Sequence, residues 1–341
     1  MIDVREIAAS AAPKLGGGIE ERWMDLDGAQ MRYLQAGSGP ALILLHGLLG
    51  YSFSWRFTMP TLAQHFQVFA PDLLGAGFSE RPAIDHSMRA TAQRVLQFAE
   101  NLGLTSFDLL GTSRGGAVAM CVAAEGPDHT DSAPGIRRLV LACPVNPYSA
   151  HGKLLAPFFA TRLGAAGFRW TVERFPRLFP YFHSRLYANQ AKIPAGSLDG
   201  YKAPLAFPGL FEHGLSIVKT WTVDLRELEK LMPKLRSIPT LLMWGASDPA
   251  VYVSSLEPLA RNFRDVETVV FPGVGHLPYE ECPDEFNREL IRFLKQGTGD
   301  LGVGSEKMQK SACGSLAGVS PQPPDFLIPD AEGRERRVEK S

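Results

Sequence analysis

The residues best placed to do chemistry are Gly111-Thr112-Ser113-Arg114-Gly115-Gly116. They directly follow the apolar run Phe107-Asp108-Leu109-Leu110 and directly precede a small-residue helix pattern, Gly115 to Ala124. A G-x-S-x-G between a strand and a helix forces a turn so tight that the residues two before and two after the serine must be nearly bare. The serine hydroxyl then stands out at a helix N-terminus, whose dipole favours developing negative charge. The bland alternative is that small residues only permit a tight turn, and the strand-to-helix context argues against it. A serine is a weak nucleophile without a base. Among eight histidines, His276 follows the last strand-like run in a glycine-rich loop, Phe271-Pro272-Gly273-Val274-Gly275, which can aim an imidazole back across a sheet edge. The base needs a carboxylate to fix its tautomer. Asp248, a short loop after Thr240-Leu241-Leu242-Met243-Trp244, would reach the same edge, although an aspartate before Pro249 also suits an ordinary turn. His65, His86, His129, His151, His183 and His213 read as surface or packing residues.

The elements that must position these groups are legible as apolar runs. Ala41 to Leu45, Gln67 to Ala70, Phe107 to Leu110, Leu139 to Ala142, Thr240 to Trp244 and Val266 to Val270 resemble strands covered on both faces. Glu20 to Gln35 reads as a hairpin turning at Asp27-Gly28. Helical periodicity over Met88 to Leu102, Gly115 to Ala124 and Pro283 to Leu294 separates several of the runs. Such alternation predicts an α/β architecture with a mostly parallel central sheet and helices on both faces. Between Cys143 and Leu241 no strand-like run occurs. Aromatic residues such as Phe179, Phe182, Tyr187, Tyr201 and Trp221 fill that stretch, which reads as a helical insertion over the sheet. Most of these aromatics would pack, and the rest would line an apolar pocket above Ser113.

The chain order Ser113, Asp248, His276 resembles the α/β-hydrolase superfamily over about residues 20–295. The resemblance implies that the His46-Gly47-Leu48-Leu49-Gly50 turn lends the backbone N–H of Leu48 to an oxyanion hole, with the N–H of Arg114 as its partner. His46 itself reads as a structural hydrogen-bonding residue. Pro71-Asp72-Leu73-Leu74-Gly75-Ala76-Gly77-Phe78-Ser79 is similar to the superfamily's D-x-x-G-x-G-x-S loop, with Asp72 and Ser79 as fasteners, and Glu281 with Pro283 matches its closing helix entry. In some related proteins the acid follows the strand before, but there the chain reads Cys143-Pro144-Val145-Asn146, with no carboxylate. Tyr51 to Arg56 and Phe78 to Pro82 resemble haloalkane dehalogenases and epoxide hydrolases, which attack with an aspartate where this chain has Ser113. The resemblance therefore implies a capped serine hydrolase cleaving a carboxylic ester of a small, largely apolar substrate. Carbon–carbon bond hydrolysis, perhydrolysis or a non-catalytic receptor on the same fold are the alternatives. No metal or organic cofactor is needed for that chemistry, and Arg114 could also serve as a structural cation.

Composition sets the frame. The chain has 341 residues, 45% hydrophobic and 21% charged, which supplies a large core and suggests about two domains. With 35 Lys+Arg against 36 Asp+Glu the net charge is −1, so nothing draws it to nucleic acid or an anionic membrane. Cys121, Cys143, Cys282 and Cys313 form no C-x-x-C pair and no disulfide framework. No apolar run is long enough to span a bilayer, and Met1 to Gly18 lacks the apolar stretch of a signal peptide, so a cytoplasmic location is expected. The organisation expected is a loose arm over 1–19, a core over 20–143 and 241–296, a helical cap over 144–240, and a disordered tail over 297–341 with Phe326-Leu327-Ile328 as a docking patch.

Overall fold

The computed structural model describes residues 4–13, 16, 18–125, 135–149, 158, 161–174, 178–296, 327–329 and 335–337. His129, His151, Cys313 and Phe326 lie outside them. Eight strands form one sheet: β1 (Glu20–Leu26), β2 (Ala29–Ala36), β3 (Ala41–Leu45), β4 (Gln67–Pro71), β5 (Ser106–Thr112), β6 (Gly135–Ala142), β7 (Thr240–Gly245) and β8 (Val266–Phe271). Their spatial order is β1-β2-β4-β3-β5-β6-β7-β8. The hairpin β1/β2 and the pair β2/β4 are antiparallel, and every pairing from β4 through β8 is parallel. This is the α/β-hydrolase fold expected from the sequence.

The parallel strands are apolar on both faces because both faces are covered. Along β3, Ile43 and Leu45 join one core cluster and Leu42 and Leu44 join the other. The first cluster packs under the helices Met88–Asn101, Arg114–Glu125 and Leu210–Leu231, and the second under Pro283–Lys295. The carboxyl ends of β3, β5, β6, β7 and β8 share one edge, since Leu45 lies opposite Gly111, Thr112 opposite Ala142, and Gly245 opposite Phe271. Every sequence-selected site residue follows one of these ends. The described part of the insertion between β6 and β7 is built mainly of helices, Arg162–Arg174, Leu178–Ser184, Ser197–Lys202 and Leu210–Leu231, joined by turns and loops.

One expectation fails at the N-terminus. Val4–Ala11 is a helix rather than a loose arm, because Val4 and Ala8, one turn apart, are buried. Ala8 packs with Tyr51, Phe53, Phe78 and Tyr201, partners the local sequence cannot reveal. The chain divides into two compact units, Met1–Gln296 and Gly297–Ser341. In the second, Leu327–Pro329 pairs antiparallel with Glu335–Arg337, where the sequence shows no strand pattern. The expected disorder of the remaining tail falls outside the described residues. Among the described residues, no helix is long and apolar enough to cross a membrane.

Candidate active site

Only Ser113 separates the end of β5 from the helix Arg114–Glu125, and it adopts a left-handed φ of 51°. Such a conformation costs a non-glycine residue of order 1–3 kcal/mol and persists only where its surroundings enforce it. They do so here. The Ser113 N–H donates to the Ala142 carbonyl at 3.0 Å, and the Ser113 carbonyl accepts from Gly116 and Val145 at 3.0 and 2.9 Å. The flanking glycines are sterically required. A Cβ at Gly111 would lie 2.3 Å from the Gly115 carbonyl oxygen, and one at Gly115 would lie 2.3 Å from that of His46. Opening the helix at Arg114 leaves its first N–H groups without intrahelical acceptors, at the positive end of the helix dipole.

Asp248 and His276 meet at 2.8 Å, His276 Nδ1 to Asp248 Oδ2, with both side chains buried. The second carboxylate oxygen, Oδ1, accepts from the Ala250 and Val251 N–H groups at 2.8 and 2.9 Å. The turn role open to an aspartate before proline and the pairing with His276 are therefore both filled, one by each oxygen. A carboxylate can only accept, so Nδ1 of His276 carries the proton and Nε2 keeps its lone pair. The loop is braced from outside: the His276 N–H donates to Leu186 O at 2.8 Å. Glu281 accepts from the N–H groups of Gly275 at 2.8 Å and Ala188 at 3.0 Å.

His46 has a different role. Its Nε2 accepts from the Leu73 N–H at 3.0 Å, so Nδ1 carries the proton and donates to the Gly47 carbonyl at 2.9 Å. Burial lowers its pKa, and the neutral ring pins the His46–Gly50 turn to the Asp72–Ser79 loop. That loop is closed by Asp72, which accepts from Arg32 Nη1, the Ser52 N–H and the Phe78 N–H, and by Ser79, which accepts from the Arg32 N–H.

Ser113, His276 and Leu48 line one cavity of about 290 Å³. Its walls are mainly apolar, with Leu49, Val145, Val251 and Leu277 from the core and Phe179, Phe182, Leu186 and Trp221 from the insertion. Asp248 stands behind His276. Arg114 sends its side chain away from the cavity, where it is buried and Nη2 donates to the His86 carbonyl at 2.6 Å. Burial lowers its pKa to about 10, so it stays a cation, structural and not a surface one.

Several features were not visible in the sequence. His183 lines the cavity and lies against Tyr201, ring centroids 4.3 Å apart. Burial takes its pKa down to about 4, which keeps the ring neutral. His86 and His213, the latter on the insertion helix Leu210–Leu231, are buried edge to face with ring centroids 4.4 Å apart. Glu280, also buried, accepts from Nη1 and Nη2 of Arg56 at 2.9 and 2.7 Å and from the hydroxyls of Tyr187 and Tyr201. Cys143 stands where the alternative acid would be, and its sulfur lies within 4.8 Å of ligating atoms of both Asp248 and His276. Burial, then the Asp248 charge, pushes this thiol well above its ordinary pKa. Sulfur, oxygen and nitrogen could together suit a soft metal, but Asp248 and His276 are already committed to each other and to backbone donors, so the geometry assigns none.

The profile of a family described as alpha/beta hydrolase fold matches residues 40–283, a span that contains the His46–Gly50 turn, Ser113, Asp248 and His276. The chain belongs to this family. This α/β hydrolase is 29% identical over 290 residues to haloalkane dehalogenase 2 of Mycobacterium bovis, covering 80% of this chain and 94% of that one. It is 29% identical over 283 residues to the soluble epoxide hydrolase of a Corynebacterium species, covering 79% and 95%. Among solved structures, Cfl2 of Burkholderia cenocepacia superposes with a TM-score of 0.72 at 23% identity, over 82% of this α/β hydrolase and 97% of Cfl2.

Proposed function

We propose that this α/β hydrolase is a serine esterase that cleaves a carboxylic ester of a small, largely apolar substrate. One observation carries the reading: Ser113 and His276 face one apolar cavity while His276 Nδ1 is tied to a buried Asp248. Nε2 is thereby left as the free base toward the cavity. In the first step Ser113 Oγ attacks the acyl carbon as its proton passes to His276 Nε2. The carbonyl oxygen, now negative, is held by the backbone N–H groups of Leu48 and Arg114. Asp248 stabilises the imidazolium without taking its proton. His276 then protonates the departing alcohol, leaving an acyl-Ser113 ester. A water, deprotonated by His276, cleaves that ester and restores the serine. The insertion serves as a cap, and its aromatic wall excludes bulk water from the charge-separated steps.

The names of the relatives would suggest dehalogenation or epoxide opening. A serine attacking an alkyl carbon would form an ether that water attack on a carbonyl cannot release, so Ser113 supports acyl transfer instead. Purified protein should turn over 4-nitrophenyl esters and be labelled at Ser113 by a fluorophosphonate. Ser113→Ala should lose both properties with an unchanged circular dichroism spectrum. Full esterase activity in that variant would remove the reading.

A further inference from the structure

Ser54 and Tyr201 both line the mainly apolar cavity, and their hydroxyl oxygens lie 3.0 Å apart. Their proton directions can be worked out. Glu280 is an acceptor held by Arg56 at 2.9 and 2.7 Å and by the Tyr187 hydroxyl at 2.6 Å, and the Tyr201 hydroxyl also contacts it. A carboxylate has no proton to give, so Tyr201 donates its single hydroxyl proton to Glu280. The phenol keeps that proton at all ordinary pH, since burial and the Glu280 charge raise its pKa. The Ser54 hydroxyl then donates to the Tyr201 oxygen. What the pair retains is acceptor capacity, on the Ser54 oxygen and the second lone pair of Tyr201. Ser54 also adjoins the His46–Gly50 turn, since a Cβ built on Gly50 would lie 3.2 Å from both Ser54 Oγ and the Gly47 carbonyl. Acceptors are therefore held by a buried ion pair beside the turn that serves the reacting carbonyl.

We propose that Ser54 and Tyr201 form a hydroxyl-recognising subsite, so that the substrate is a hydroxylated ester and not a plain hydrocarbon one. The inference rests on the acyl-transfer reading above and names its substrate class. Glu280 and Arg56 are positioning residues for the pair, because they orient Tyr201 without facing the substrate.

The test compares 4-nitrophenyl hexanoate with its 3-hydroxy and 6-hydroxy counterparts. The wild type should favour at least one hydroxylated ester in kcat/KM, by on the order of tenfold, the effect of one well-made hydrogen bond. Ser54→Ala and Tyr201→Phe should each bring that ratio close to one. A wild-type ratio of one for both hydroxylated esters, or a ratio that survives both substitutions, overturns the subsite. Calorimetry on Ser113→Ala with methyl hexanoate and its two hydroxy counterparts reads the same preference as a ratio of Kd values without turnover. A preference in binding with no hydrolysis by the wild type would leave the subsite standing and overturn the esterase reading alone. Equal Kd values overturn the subsite even where hydrolysis is seen.

Discussion

Asp248 divides its carboxylate between two tasks, one oxygen taking the His276 Nδ1–H at 2.8 Å and the other the backbone N–H groups of Ala250 and Val251. The acid cannot rotate without losing donors on both sides, so the imidazole it holds is fixed in tautomer and direction. In Asp248→Asn the amide NH₂ can face Nδ1 and reverse the tautomer, which puts the proton on Nε2 and removes the base. Ester turnover should fall by about 10⁴, the scale seen when this pairing is disrupted in triads. Fluorophosphonate labelling of Ser113 should slow in parallel, while the near-ultraviolet circular dichroism stays that of the wild type. Activity within tenfold of wild type would show that another group orients His276.

The turn around Ser113 makes a packing prediction. A methyl group at position 115 would sit 2.3 Å from the His46 carbonyl oxygen and 2.5 Å from that of Leu45. Both are backbone atoms and cannot swing aside, so β3 and the helix Arg114–Glu125 must separate. Gly115→Ala should lose about 1–3 kcal/mol, the range for overpacking a tight core, measured as a lower urea midpoint. It should also lose activity beyond that, because the His46–Gly50 turn moves with β3. A variant of wild-type stability and rate would mean that the turn is not as close-packed as these distances require.

The legibility of the molecule follows the range of its interactions. The Ser113 turn could be read from six letters because its constraints are local contacts among Gly111, Gly115 and the adjoining strand ends. Asp248 and His276 were legible because each lies a short loop after an apolar strand, and strand order alone brings those loops to one edge. The N-terminal helix was not, since only Val4 and Ala8 are buried and their partners include Tyr51 and Phe78. Glu280 was equally hidden. In the doublet Glu280-Glu281 nothing local marks the first as buried, and its partners Arg56 and Tyr201 lie 224 and 79 residues away. Cys143 directly follows the apolar run Leu139 to Ala142 and is buried, but its contact with Asp248 and His276 needs the register of β6 against β7.

Acid should weaken the fold through His213. Burial is the main cause that takes its pKa down to about 2, aided by His86, Arg114, His46 and Arg81 around it. The folded chain thus holds this ring neutral while the unfolded chain protonates it near 6.5, so stability falls as pH drops below that value and continues to fall toward about 2. The slope per such histidine is at most about 1.4 kcal/mol per pH unit, and His183, at about 4, adds to it over a narrower window. Between pH 7 and pH 5, His213→Gln should lose about 2 kcal/mol less than the wild type in urea unfolding. Identical pH dependence would show that this site is hydrated or rearranged in solution.

The ion pair of Glu280 with Arg56 joins the core to the insertion, because the same carboxylate holds Tyr187 and Tyr201. Two charges removed from water are tolerated only while each compensates the other. Glu280→Gln leaves Arg56 buried and uncompensated, and should cost about 3–5 kcal/mol of stability. Replacing both residues, as Arg56→Met with Glu280→Gln, removes the stranded charge and should recover a large part of that loss. Activity should not recover with it, because the second substitution restores no charged acceptor for the two tyrosines. Stability regained without the rate is what separates a pair that positions the cavity wall from one that merely fills space, and activity that returned in step with the urea midpoint would assign Glu280 to packing alone.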